Sequence, residues 1–364
     1  MMRVDAQDTK TVTYGTLLSM TQAISNNGVR LRDPSLDFIR VVACLAVVLL
    51  HVSARPIYMQ DEMSGWAWLL GNMVSSLTHW CVPVFVMLSS VLILGNSKTT
   101  YSHVLKSRVP RMLALLFIST VIYALWMKYF QHAFNWATFL LSVVQGQPYY
   151  HLHFFYLIIG LYFIAPPLSQ AVVNLEEKDF RNAVIATSIL TMVTFAWSTF
   201  SRTYTPNGGS FSWSYISYFL LGHYLYKFRP NLPYVMITVL GYLCTVVGTE
   251  ALAVGMGNTY TWKLYFYSYF SPTVFAMSVG VWGVCIQFAG KIRIPALKVL
   301  APLTLLVYIV HPIFMELLRF AYGKISVSLM RPVIEVPLTF VLTTLFAFLA
   351  AYLLYQSSFV RRLF

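Results

Sequence analysis

The chain is polar to about residue 35 and from there alternates long apolar runs with short polar breaks. Ten runs are long enough to be drawn as membrane spans: 36–54, 68–94, 112–131, 152–172, 183–200, 213–227, 233–253, 264–289, 301–322 and 335–356. About 20 mostly apolar residues cross a hydrocarbon core of about 30 Å as a helix. The pattern therefore predicts an all-α integral membrane protein, a bundle of about ten transmembrane helices. The run 213–227 is short for a span. The run 68–94 is long enough to tilt or bend, with Pro83 as the expected kink point. No internal repeat is visible, which weighs against transporters built from inverted repeats.

Composition agrees. The 364 residues are 58% hydrophobic and 10% charged, with mean hydropathy +0.67, where a soluble domain carries about 25% charged residues. Cys44, Cys81, Cys244 and Cys285 fall in apolar runs without paired spacing, so they read as small buried hydrophobes and not as disulfides or metal ligands. Residues 1–35 lack the apolar core and cleavage site of a signal peptide and read as a cytoplasmic tail. Residues 36–356 form the membrane domain, and 357–364 a second cytoplasmic tail.

The formal charge of +13 could point to nucleic acid, but the basic residues cluster at span ends, as topology signals do. With the N-terminus inside, seventeen Lys and Arg fall on the cytoplasmic side and seven on the far side, Arg40 being set aside within its span. Both termini come out cytoplasmic. Membrane lipids are the expected surroundings, and no nucleic acid is an expected partner. Far-side segments such as Ser201–Ser212 and Val254–Lys263 are too short to fold alone, so any chemistry belongs to the bundle.

The first span carries Asp37, Arg40 and His51, and charge inside a span costs about 2.5–3.5 kcal/mol on insertion scales. Eleven residues separate Arg40 from His51, which returns to within about 20° of the same helical face and about 16–17 Å further along it. Asp37 lies one turn before Arg40, where a carboxylate pairs with a guanidinium. An imidazole can act as general base or transient acyl carrier, and a guanidinium fork suits phosphates or carboxylates. Structural readings stand beside these: a hydrogen-bonded interfacial histidine, and an ion pair that fixes packing.

Arg108 and Arg111 sit one turn apart before the third span, as topology charges or as a phosphate-collecting pair. Tyr149-Tyr-His-Leu-His-Phe-Phe-Tyr opens the fourth span, either as an interfacial aromatic belt or as a stacking surface for a sugar ring. Its His151 and His153 are two residues apart, off a common helical face, so a metal pair is not expected. His311, before Pro312 and near Glu316, is either a second proton-handling group or part of a proline kink held by polar contacts. Glu250 and Glu335 lie near span ends and are expected to face water.

These residues resemble a known family. Leu36-Asp-Phe-Ile-Arg40 followed ten residues later by His51 resembles the start of the membrane-bound acyltransferase family 3. Val82-Pro-Val-Phe-Val-Met-Leu-Ser-Ser90, Arg108-Val-Pro-Arg111, His151-Leu-His-Phe-Phe-Tyr156 and Tyr308-Ile-Val-His-Pro312 resemble its later segments, in order. The likeness covers about residues 34 to 356. Val41 stands where the family usually has Gly, Ser90 replaces the Gly of a Ser-Gly pair, and His153 replaces Trp.

The resemblance implies a multi-pass O-acyltransferase of the bacterial cytoplasmic (inner) membrane. Such an enzyme moves an acyl group, commonly acetyl from acetyl-CoA, to a hydroxyl of a surface or lipid-linked glycan at the outer side. Arg40, Arg108 and Arg111 would hold the anionic CoA, and His51, with Arg40 and Asp37, would be catalytic. His151, His153, His311 and Glu316 are then the acceptor-side candidates, and no metal is implied. Without a hydrolase-like domain after the bundle, the chain is expected to resemble the stand-alone O-acetyltransferases of surface polysaccharides. The rival readings are a transporter or flippase for a lipid-linked or exported polysaccharide, and a receptor bundle, against which the short loops argue.

Overall fold

The structure, a computed structural model, describes residues 32–58, 65–94, 99–201, 211–255, 264–289, 294–324 and 332–363. Most of the expected N-terminal tail and the Pro206–Gly209 loop lie outside the described residues, as do several of the topology charges. Among the described residues every regular element is helical, and nine helices are long and apolar enough to cross a membrane.

The spans follow the apolar runs. The first is α1 (Pro34–Tyr58), followed by α2 (Gly65–Ser76) and α3 (Cys81–Ile93), which together make one span of 29 residues. Next come α4 (Tyr101–Gln131), a short α5 (Trp136–Val144), α6 (His153–Val173) and α7 (Glu177–Phe200). The chain continues through α8 (Ile216–Phe228), α9 (Tyr234–Gly255), α10 (Pro272–Ala289), α11 (Leu297–Lys324), α12 (Pro332–Tyr355) and α13 (Ser358–Leu363).

Four differences from the sequence reading have local causes. The short expected span 213–227, the sixth in order, is α8, whose 13 residues reach only about 20 Å. It is buried on nearly every side, so it is an inner element of the bundle. The bend expected at Pro83 falls just upstream, at Leu77–Trp80, between α2 and α3. Pro83 sits in the first turn of α3, where its missing N–H costs no hydrogen bond. Side chains satisfy the loosened carbonyls: Thr78 Oγ1 and His79 Nδ1 each lie 2.7 Å from Ser75 O, and Trp80 Nε1 donates to Leu77 O at 2.6 Å.

The third difference is at α4, which begins eleven residues before its apolar run, so Arg108 and Arg111 lie inside a continuous helix. The fourth concerns single side chains. Glu250 and Glu335 do not simply face water: Glu250 accepts from Asn72 Nδ2 at 3.4 Å and Glu335 from Arg55 at 2.8 Å. Cys44, Cys81 and Cys285 are buried as expected, whereas Cys244 is exposed on the outer side of α9. The C-terminal segment carries a short helix, α13.

Small residues let helices meet backbone to backbone, as membrane packing favours where no hydrophobic force separates protein from lipid. A Cβ on Gly222 of α8 would stand 2.4 Å from Met87 Cα of α3, and one on Gly280 of α10 would stand 2.7 Å from Thr238 N of α9. A main core gathers α1, α3, α6, α8 and α10 around Ile39, Met87, Leu161, Phe219 and Trp282. A second joins α1 to α11 and α12 through Val48, Val307 and Ala347. α1 therefore stands between two cores, and its polar face is what remains.

Candidate functional site

Two cavities meet on that face. The smaller, about 290 Å³, is lined along α1 by Arg40, Val47, Leu50 and His51. The helical register expected from the sequence is present, since Arg40 and His51 face one space. Val82, Phe85, Leu92 and Phe154 make most of the remaining wall apolar. The larger, about 830 Å³, lies beyond His51 and is bounded by Arg55, His79, Tyr150, Tyr267, Glu316 and Arg319. Leu50, His51, His153 and Tyr269 line both cavities. His51 thus sits in the partition between them.

At the Arg40 end, Asp37 is buried and its Oδ1 accepts from Arg40 Nη1 at 3.3 Å. Asp37 lines neither cavity and holds the guanidinium that does. Arg108 Nη2 donates to Leu92 O at 3.3 Å, and Leu92 and Met112 line the same cavity as Arg40. Arg111 is exposed and lines neither cavity. The structure therefore brings Arg40 and Arg108 to one end of the bundle and leaves Arg111 at its edge.

Around His51 the rings are dense. Its imidazole meets Tyr150 edge-on at 5.0 Å and stacks on His311 at 5.3 Å between centroids. His311 is fully buried and lines neither cavity. Its Nδ1 lies 3.1 Å from Val307 O, a carbonyl that can only accept, so Nδ1 carries the proton and Nε2 a lone pair. That Nε2 has no hydrogen-bond partner among the described residues. His311, expected to touch substrate, instead backs His51. Polar contacts do gather at the proline, as Tyr123 Oη donates to Ile309 O at 2.6 Å, one residue after the carbonyl that Pro312 leaves without a helical donor.

His151 is buried against Tyr123 at 4.9 Å, Tyr308 at 5.2 Å and His311 at 5.7 Å, and its carbonyl accepts from the Tyr308 hydroxyl. It precedes α6, and burial, with His311 and His51 adding to it, pushes its imidazole well below the ordinary histidine range. His153 is less buried. Its Nδ1 lies 2.9 Å from Tyr150 O, which leaves Nε2 as the acceptor beside His51 in the shared wall.

Glu316 lines the larger cavity, yet its carboxylate is already engaged. Trp126 Nε1 donates to it at 2.7 Å, Gln131 Nε2 at 2.8 Å, and the Tyr149 hydroxyl as well. It ties α11 to α4 and to the segment before α6, and no described bond joins it to His311. Among the described residues no group of three or more His, Cys, Asp or Glu is placed to hold a metal ion.

Sequence reading passed over two residues of the larger cavity. His79 entered no motif, and only the break at Leu77–Trp80 turns it inward, stacked on Tyr267 at 4.3 Å. Its signal was a histidine four residues before a proline. Arg319 counted only as a topology charge, and its role depends on a partner 267 residues away.

Comparisons with known proteins bear on the family. The acyltransferase family 3 model, described as "Acyltransferase domain", matches residues 33–356. Curated relatives include proteins described as "Probable poly-beta-1,6-N-acetyl-D-glucosamine export protein" from Staphylococcus aureus. Those of strains Mu50 and MSSA476 are 22% identical over 325 residues, covering 84% of this chain and 89% of theirs. That of strain MRSA252 is 21% identical over 320 residues, with the same coverage. No solved structure matches the chain.

Proposed function

This chain belongs to acyltransferase family 3, and on that premise we propose that it moves an acyl group, acetyl from acetyl-CoA, across the membrane to a hydroxyl of a surface or lipid-linked glycan. The observation that carries the reading is His51 in the wall shared by two cavities, one of which runs back to Arg40. The narrow cavity suits an extended apolar arm carrying the acyl thioester, with the anionic end of the donor at Arg40 and Arg108. The wider cavity has the size and the mixed aromatic and polar lining that saccharides need.

In this reading His51 takes the proton of the acceptor hydroxyl as its oxygen attacks the acyl carbon. The carbon–sulfur bond breaks, and His51 returns the proton to the departing thiolate. His311 stacked behind and Tyr150 edge-on hold the ring in the partition. Asp37 keeps Arg40 turned to the cavity. Leu50 and Tyr269, shared by both cavities, limit passage between them, so the acyl group crosses by transfer and the two substrates do not mix.

Protein purified into vesicles, supplied with labelled acetyl-CoA and a membrane glycan fraction, is expected to give labelled glycan. His51→Ala should lower the rate by about 100-fold or more, the range lost with a general base. Full transfer by His51→Ala overturns the assignment. A second reading is polysaccharide export, the function that the relatives' descriptions name, and the larger cavity would serve it. Glycan that crosses the vesicle membrane without acquiring label, at a rate indifferent to His51→Ala, would favour export.

A further inference from the structure

Pro56 lies inside α1 and has no N–H, so the carbonyl of Val52, four residues earlier, loses its helical donor. Arg319 of α11 supplies a replacement. Its Nη2 donates to Val52 O at 3.1 Å and to His51 O at 3.3 Å. This accounts for one of three guanidinium nitrogens. Nε is buried without a hydrogen-bond partner among the described residues, and no described carboxylate stands within ion-pairing distance.

The nearby acids are occupied. Glu316, the one carboxylate among the described residues that line this cavity, already receives Trp126, Gln131 and Tyr149. Glu335 is paired with Arg55 at 2.8 Å. A partly buried guanidinium with no carboxylate in direct contact, at the end of a membrane span and facing a cavity, is a ready partner for a ligand that brings negative charge, since Glu316 and Glu335 act on it only from further off. Arg40 cannot share that ligand. Arg319 is tied to the backbone at His51, about 16–17 Å along α1 from Arg40.

We infer that the larger cavity takes an acceptor bearing an anionic group, a carboxylate or a phosphate, which Arg319 holds beside the hydroxyl that His51 serves. The inference rests on the acyl-transfer reading for its word "acceptor", and on geometry alone for the anion. The guanidinium offers Nη1 to the ligand while Nη2 stays on the carbonyls, so one side chain both fixes the backbone of His51 and places the acceptor. A guanidinium fork favours planar or tetrahedral oxyanions over neutral sugars.

The test is binding to the full-length protein in nanodiscs, with matched probes: farnesyl phosphate against farnesol, and digalacturonic acid against its methyl ester. At least one anionic probe is expected to bind about tenfold or more tightly than its neutral match, the span of a charge-assisted hydrogen bond. Arg319→Gln should erase that preference and Arg319→Lys should keep much of it. Preference for the phosphate alone names a lipid-carrier phosphate as the source, and preference for digalacturonate alone names an acidic sugar. Equal binding of each charged probe and its match, or a preference that survives in Arg319→Gln, overturns the inference. If Arg319→Gln fails to fold, the wild-type ratios and Arg319→Lys decide. Charge-selective binding by a protein that transfers no acyl group would sink the transferase reading and keep the anion site. Undiminished transfer to an anionic acceptor by Arg319→Gln would do the reverse.

Discussion

Arg40 and Asp37 form an i, i+3 pair at 3.3 Å with the guanidinium side chain 27% exposed. A pair this open contributes little to stability, commonly under about 1 kcal/mol, so its use is orientation. If Arg40 grips the anionic donor, Arg40→Ala should raise KM for acyl-CoA by about tenfold to a hundredfold, the equivalent of the 1.5–3 kcal/mol carried by hydrogen bonds to charged groups. The rate at saturating donor should change only a few-fold, because His51 and its ring neighbours are untouched. Steady-state kinetics against donor concentration separates the two, and an unchanged KM would remove Arg40 from the donor site. The Arg40–His51 register was legible in the sequence because it depends only on helical pitch. His79 and Arg319 were not, because His79 is turned inward by the helix break ahead of Pro83 and Arg319 answers a carbonyl that Pro56 frees, and each finds its partner on another turn or another helix.

Elements were legible wherever hydropathy alone decides, which covers most spans. What escaped were features set by packing. α8 is short because it is enclosed by protein, so it need not match the bilayer thickness, and its residue Gly222 lies against the Met87 backbone of α3. A Cβ there would stand 2.4 Å from Met87 Cα, and backbone cannot swing aside as a flexible side chain can. Gly222→Val should therefore destabilise the bundle by about 1–3 kcal/mol, the usual cost of overpacking. A lower midpoint of thermal unfolding in detergent would show it. Because α3 also supplies Val82, Phe85 and Leu88 to the narrow cavity, the same change should weaken acyl-CoA binding. An unshifted midpoint would mean that α3 and α8 can separate freely, contrary to this packing. The break between α2 and α3 belongs to the same class. Its proline was visible, but not that the helix would stop before it and let side chains take over the carbonyls.

At the scale of the molecule, the two cavities give the bundle a direction. Arg40, Leu92 and Met112 line one, while Arg55, Tyr150, Phe195 and Arg319 line the other, which is how helix ends gather when successive spans alternate. On the positive-inside rule the Arg40 end is expected in the cytoplasm, where CoA is made, and the proposed transfer works only in that orientation. Single cysteines placed in a Cys244→Ser background can test it, since Cys44, Cys81 and Cys285 are buried and Cys244 is exposed. Ser357 lies between α12 and α13 at the expected cytoplasmic end, Gln145 lies just after α5 at the other, and both are exposed. In intact cells with a permeabilised outer envelope, a membrane-impermeant maleimide should label Gln145→Cys and spare Ser357→Cys, and in inverted vesicles the pattern should reverse. The opposite labelling would put Arg40 on the side without acyl-CoA and His51 on the side without displayed glycan. A donor that had to enter through the larger cavity would then meet Arg319 first, and the anion site at Arg319 would have to be reassigned from acceptor to donor.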